Sequence, residues 1–539
     1  MSISASRVRA WLVPVGLRIL AAGLVTLAAA CGGEKSSPPP TRTQVPPATA
    51  TKAPPAVATA TSQAPQTPVA TKVALKLLKA QPDGGYVGAS FTITGEGLPP
   101  NKAADLLWGT SDGTFDTNAL AETIEFVGLR YTAKRIPLGK ATTDSQGRLG
   151  ADFKAPEDYG GVHDIFVVMD GQDIARGGFQ IRRSISVSPK EGPVGTPITI
   201  SITGMGLPPV EHALAVRYDN QYSVYISGVT TRGVATGYIR AAGPPGSHAI
   251  ELSGAGNHGG GYLNNQQSPY ASLFPKDGAF RFSFTVTKDG GAPATTMEWP
   301  ETKRVAQLAA DAPRTTATQI ALSKGITASL STSRGPILTP ATVIASGLRP
   351  GAEVEMRWVT AKGNRVTAAG WELVETSMGT AKTDANGSLR TDIKVPDGLG
   401  GWHMLALAQD GAVVADLPFY VDLSLVGVTP TRVKAGEQFT VHLKGVGWTE
   451  LDNTVAVTYD NAYAGYACGF NSNGDITLQV TATGTPGTHL IDIYPTTFQG
   501  KATGRWGFQM PQLTALQDHP GLGLGYNLPI FRLAVEVIP

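Results

Sequence analysis

From about residue 73 onward, short runs of alternating apolar and polar residues follow one another almost without a break. Phe91-Thr92-Ile93-Thr94, Ile198-Thr199-Ile200-Ser201-Ile202, Phe280-Arg281-Phe282-Ser283-Phe284-Thr285-Val286 and Phe439-Thr440-Val441-His442-Leu443 are clear examples, and Gly, Pro, Asn and Asp stand between such runs. A period of two places every second side chain on one face of a strand, so the pattern predicts half-buried strands joined by turns. The one fair helical stretch is Glu301 to Ala312. Many short strands with frequent Gly and Pro predict an all-β fold of sandwiches or barrels.

The pattern also repeats on a larger scale. Tyr218-Asp219-Asn220 and Tyr222 return as Tyr459-Asp460-Asn461 and Tyr463, and Gly243 to His248 returns as Gly484 to His489. Upstream, Thr143-Asp144, Gly147, Gly161 and His163 return as Thr383-Asp384, Gly387, Gly401 and His403. A shift of roughly 240 positions held over this distance means that a block of several domains was duplicated. Within the block, two module types share a turn glycine, a strand, a Gly-rich corner and a His entering a second strand. They therefore predict four copies of one fold in A-B-A-B order: A1 over 73–182, B1 over 183–290, a linker over 291–325, A2 over 326–422 and B2 over 423–539.

Each module opens in a similar way, as in Ser188-Pro189, Gly195-Thr196-Pro197-Ile198 and Gly204-Met205-Gly206-Leu207, with Gly88, Gly95-Glu96-Gly97-Leu98, Ser346-Gly347-Leu348, Gly436 and Gly445-Val446-Gly447-Trp448 elsewhere. This resembles the bacterial immunoglobulin-like domains of the IPT/TIG kind. The resemblance implies four tandem immunoglobulin-like β-sandwiches and a surface setting, and it names no ligand.

The first 72 residues differ in kind. Arg7, Arg9 and Arg18 precede the apolar stretch Ile19–Ala30, which falls short of the roughly 20 residues a spanning helix needs. Ala28-Ala29-Ala30-Cys31 resembles the lipobox of bacterial lipoproteins, although the customary Leu stands one place early, at Leu27. The resemblance implies a signal peptide over 1–30 and a lipidated Cys31. Residues 31–72 are mainly Pro, Thr, Ala, Ser and Gln, a composition expected to stay disordered as an extended tether reaching about 100 Å. An exported chain, lipid-anchored to the bacterial cell envelope or cell surface, is the expected address, with the membrane as its first partner.

Composition narrows the function. The formal net charge is +2 and no basic stripe carries interleaved aromatics, which argues against a nucleic-acid partner. The chain has two cysteines, so a lipidated Cys31 leaves no second cysteine to form an intrachain disulfide with Cys468; Ser227 in the other copy marks that position as a small packed side chain. His163, His248, His403 and His489 recur in all four modules, which predicts corner residues bonded to backbone; no metal and no cofactor are expected.

Gly109-Thr110-Ser111-Asp112-Gly113 and His258-Gly259-Gly260-Gly261 match esterase motifs in a chain rich in Gly. A nucleophile elbow needs a strand, a sharp turn and a helix, and Thr114-Phe115-Asp116-Thr117 starts none. The turns at Asp144 and Asp384 lack the dense oxygen ligands that calcium takes. No catalytic residue is predicted, and the chain is read as non-enzymatic, a structural or adhesive scaffold. The alternative is a carbohydrate- or peptide-binding surface. Its candidate residues are Tyr218, Asp219, Asn220 and Tyr222, with Tyr459, Asp460, Asn461, Tyr463 and Trp506, helped by long loops over 257–279 and 495–529. Flat phenol rings beside oriented amides and carboxylates suit a glycan or protein ligand.

Overall fold

The computed structural model describes residues 74–119, 124–207, 211–254, 279–301, 303, 319–364, 370–469, 472–496 and 515–539. The chain divides into two units, Met1–Lys72 and Val73–Pro539, and all described residues lie in the second. The signal peptide, Cys31, the tether, Trp506, the His258 motif, most of the Glu301–Ala312 stretch and much of the two long loops lie outside the described residues.

The second unit is built from β-sandwiches. In B1 a five-stranded sheet (Glu191–Gly192, Ala279–Val286, Gly246–Gly254, Ala213–Tyr218, Gln221–Ser227) faces a three-stranded one (Ala235–Arg240, Pro197–Thr203, Ser184–Ser188). B2 repeats this plan. Its larger sheet runs Thr296–Glu298, Ile530–Ile538, Gly487–Thr496, Thr454–Tyr459, Ala462–Cys468, and its smaller one is Ser424–Thr429, Gln438–Lys444, Ile476–Thr481. A2 likewise has a larger sheet and a three-stranded partner. In A1 the strand Lys76–Gln81 joins the two layers, pairing parallel with Gln172–Ile181 and antiparallel with Ser90–Gly95.

Alternation explains the packing. Along Gln438–Lys444 every second residue, Phe439, Val441 and Leu443, is buried. Each module closes its own apolar core in this way, for example Phe91, Ile93, Leu106, Trp108 and Phe179 in A1, and Val343, Val354, Trp358, Leu405 and Phe419 in A2. Turn glycines are required where chain segments approach closely. Gly147 and Gly387 have φ of +69° and +74°, and a Cβ on either would stand 2.1 Å from the carbonyl oxygen of Leu98 or Leu348.

The segment expected to be a linker also contributes strands. Thr296–Glu298 adds an edge to the B2 sheet through Ile530–Arg532, and Ala321–Leu322 pairs with Ala415 and Asp416 of A2. Gly109, Ser111 and Gly113 lie inside the strand Ala103–Ala119, which continues through them where a nucleophile elbow would turn into a helix. Asp144 and Asp384 accept backbone N–H groups at 2.8–2.9 Å within their own turns.

Modules distant in sequence also touch. The A1 hairpin Ala103–Ala119/Ile124–Thr142 is much longer than its A2 counterpart, Glu353–Asn364/Gly370–Lys382. Ile124, near its tip, is buried with Tyr420 of A2 and Leu451 and Tyr526 of B2, and its carbonyl accepts the Glu450 N–H at 3.2 Å. First and last modules are thus in contact, which a simple end-to-end string of four would not allow.

Candidate functional site

The corner histidines form one geometry in two versions. In all four, Nε2 faces the backbone carbonyl four residues earlier: Tyr159, Pro244, Leu399 and Thr485, at 2.6–2.9 Å. Each ring stacks on the aromatic of a neighbouring strand, Trp108 and Trp358 in the A modules and Tyr218 and Tyr459 in the B modules, with centroids 4.7–5.4 Å apart. In A1 and A2, Nδ1 faces a second carbonyl, of Gly109 or Val359. In B1 and B2 it meets a carboxylate instead, Asp219 at 2.5 Å and Asp460 at 2.6 Å. The same aspartates hold their hairpin turns and accept the N–H of Ala249 or Leu490.

Two of these rings, His403 and His489, are moved in opposite directions. His403 is wholly buried, and desolvation pushes its pKa down to about 4. The Asp460 carboxylate outweighs burial at His489 and raises it. A buried neutral histidine that titrates near 6.5 when unfolded favours the folded state above that pH, and the advantage is lost as pH falls. His489 contributes the opposite sign: its stabilisation is present below about 6.5 and disappears as pH rises through its folded pKa. His403→Gln is expected to flatten the loss of stability between pH 6.5 and 5 by about 2 kcal/mol. His489→Gln should steepen it; urea titrations at both pH values measure the difference.

Asp219-Asn220 and Asp460-Asn461 have left-handed φ angles of 48° and 66°, and 48° and 65°, as a two-residue type I′ hairpin turn demands. The two hairpins are alike in sequence and backbone, yet their surroundings differ. Tyr218 is 3% exposed, and its hydroxyl donates to the Ala242 carbonyl. The Tyr222 hydroxyl is buried with no hydrogen-bond partner among the described residues, and its ring meets Tyr463 edge-on at 6.2 Å. Asn220 is exposed, whereas Asn461 is buried and donates to the Arg240 carbonyl at 2.7 Å. Tyr466 is 54% exposed.

The asymmetry arises because B1 sets the open side of its sandwich, between Gln221–Ser227 and Ala235–Arg240, against the large sheet of B2. Leu490, Tyr494 and Ile530 of B2 join the B1 core. Arg240 donates to the carbonyls of Ile491 and Leu533 at 3.2 and 2.6 Å and pairs with the Asp492 carboxylate. Arg532 binds the other Asp492 oxygen at 2.9 Å, Glu298 at 2.8 Å and the Tyr494 hydroxyl at 2.7 Å. Tyr238 of B1 donates to Glu298. Tyr494, Asp492 and Glu298 together hold Arg532 well above its ordinary pKa despite its burial.

A second clamp comes from the short helix Ala515–Asp518, part of the loop expected to bind ligand. Asp518 is fully buried and accepts from Ser227 Oγ, from the N–H groups of Val229 and Thr230, and from Thr230 Oγ1, at 2.6–2.9 Å. Burial raises its pKa. Sequence reasoning missed this whole set. The available signal was charge retained in apolar strands: Asp492 aligns with Glu251 and Arg532 with Arg281, while Arg240 has only Thr481 opposite it.

The matching open side of B2 stays uncovered among the described residues. A groove of ≈ 470 Å³ runs between the edge strands Ala462–Cys468 and Ile476–Thr481. Tyr459, Tyr463 and Tyr466 line it, and Leu478 and Val480 lie at its base against the B2 core. Of the predicted ligand-binding residues, the structure therefore places Tyr459 and Tyr463 in an accessible groove and Tyr218 in the interior. No group of three or more potential metal ligands occurs among the described residues.

No protein-family model matches the chain, and no curated protein matches its sequence. Among solved structures, the tetra-tandem repeat of the extending region of a large adhesion protein is 12% identical, over 78% of this chain and 95% of that one, at a TM-score of 0.17. A membrane-anchored protein from Corynebacterium diphtheriae is 10% identical, over 64% and 89%, at 0.16. The first eight immunoglobulin domains of Down Syndrome Cell Adhesion Molecule are 11% identical, over 81% and 54%, at 0.12. Superposition this loose carries no argument about function, and the all-β assignment rests on the strand pairing above.

Proposed function

We propose that the chain is a non-enzymatic, extracytoplasmic lipoprotein whose four sandwiches form one rigid scaffold held off the membrane by a Pro/Thr-rich tether. The observation that carries the scaffold reading is the buried Arg240–Asp492–Arg532–Glu298 network, which commits charged side chains to joining two modules. Charges buried this deeply are costly unless fully paired, and their pairing specifies one arrangement of the partners. Anchoring is supported by Ala28-Ala29-Ala30-Cys31 and the segment that follows it. In this reading Cys31 carries lipid, residues 31–72 supply reach, and the surface of the block meets a glycan or protein.

The anchoring half is tested by labelling bacteria that express the full chain with a clickable palmitate analogue. Label on the wild type and in the membrane fraction, lost from both with Cys31→Ser, is the expected outcome. An unlabelled wild-type chain, or label persisting on the Cys31→Ser variant, overturns it.

A further inference from the structure

We infer that the B2 groove is a binding site for a neutral saccharide. Its lining carries no charged side chain: Tyr459, Tyr463 and Tyr466 line it from the Thr454–Tyr459/Ala462–Cys468 hairpin, and Gln479, Thr481 and Thr483 line it from the strand Ile476–Thr481 and the turn after it. Phenol rings beside amide and hydroxyl groups match the two surfaces of a sugar ring, its apolar C–H face and its hydroxyl rim. Gly465 leaves open space where B1 has Val224: a Cβ there would meet nothing within 4 Å. The volume suits one or two sugar rings.

Two other occupants fit less well. A second copy docking as B2 docks on B1 would need the ion lock, and B2 has Thr481 in place of Arg240 and Gln479 in place of Tyr238. An added peptide strand would pair along Ala462–Cys468. That edge is bulged, because Tyr463 pairs with Thr458 and Gly465 with Val457, leaving Ala464 over, and Gly465 has a φ of +149°. A bulge on an exposed edge interrupts the ladder a peptide would extend and protects against such pairing. The B1 hairpin shares the motif, but its rings are covered by B2, so one site per chain is assigned.

This deepens the scaffold reading by naming what its surface meets, and it is measured apart from lipid attachment. The full chain is titrated calorimetrically with neutral di- to hexasaccharides of glucose, mannose, galactose and N-acetylglucosamine. Binding of at least one series is expected, weakened roughly tenfold by Tyr466→Ala and by Gln479→Ala. Tyr86→Ala, which removes an equally exposed tyrosine outside the groove, should leave it unchanged. The inference is overturned if no neutral series binds, if only acidic sugars or peptides bind, if sedimentation shows self-association that Tyr466→Ala abolishes, or if Tyr466→Ala and Gln479→Ala bind like the wild type.

Discussion

Asp492→Ala is expected to destabilise the chain by about 3–5 kcal/mol, read as a fall in the urea midpoint at pH 7. Asp492 is 2% exposed and stands between Arg240 and Arg532, which are 4% and 2% exposed. Removing the carboxylate leaves two buried guanidinium groups facing each other with their shared counter-charge gone. Glu298 still pairs with Arg532, so the uncompensated charge falls mainly on Arg240. Converting Arg240 and Asp492 together to Met and Leu should recover much of the loss, since a buried ion pair often exchanges for apolar packing at little cost. A loss under 1 kcal/mol for Asp492→Ala would show that the network is open to water and that B1 and B2 are not held by it.

Trp108→Ala should be at least as damaging, and more so than Trp358→Ala. Both rings stack on their corner histidines and are almost wholly buried, so truncation alone costs about 3–5 kcal/mol. Trp108 has a further duty. Its indole N–H donates at 2.8 Å to Asp158, which is fully buried and also accepts from Thr110 and from the Tyr159 N–H. The A2 position matching Asp158 is Gly398, so Trp358→Ala orphans no carboxylate. The A1 substitution should exceed the A2 one by about 1–3 kcal/mol, the cost of an unmet bond to a buried charged acceptor. Equal losses, compared in parallel urea melts, would contradict the role given to Asp158.

Local chemistry made much of this architecture readable in advance. Alternation located the strands, Asp-Asn marked the hairpin turns, and four histidines after glycine marked a repeated corner. At Gly243 and Gly484 the reason is steric, since a Cβ would stand 2.8 and 2.5 Å from the Cε1 of His248 and His489. Contacts between modules left only a charge here and there in an apolar strand, which names no partner. Arg240 and Asp492 are 252 positions apart, and nothing in a strand's period says which distant surface it will face. The aromatic hairpins show this limit most clearly. Equal sequences were expected to do equal work, yet the contact between B1 and B2 is heterologous: the open side of one sandwich meets the sheet of the other. Such a contact necessarily treats two copies differently, burying Asn461 and leaving its counterpart Asn220 exposed.

The long loop over 495–529 shows the same division. Its aromatics and length suggested a binding surface, but its described part is interior. Tyr526 is 1% exposed, and His519, pushed down to about 3 by burial, accepts the Gly521 N–H on Nδ1. Asp518 beside it secures B1, so the loop length there serves to bridge modules.

The central claim is that B1 and B2 fold as one unit although the whole of A2 lies between them in the chain. Differential scanning calorimetry of the full chain, with hydrogen exchange at each step to assign the melting segments, tests it directly. The account predicts that Gly246–Gly254 and Gly487–Thr496 lose protection in the same transition, with calorimetric and van't Hoff enthalpies equal for that step. Separate transitions for the two strands, unaffected by Asp492→Ala, would contradict it.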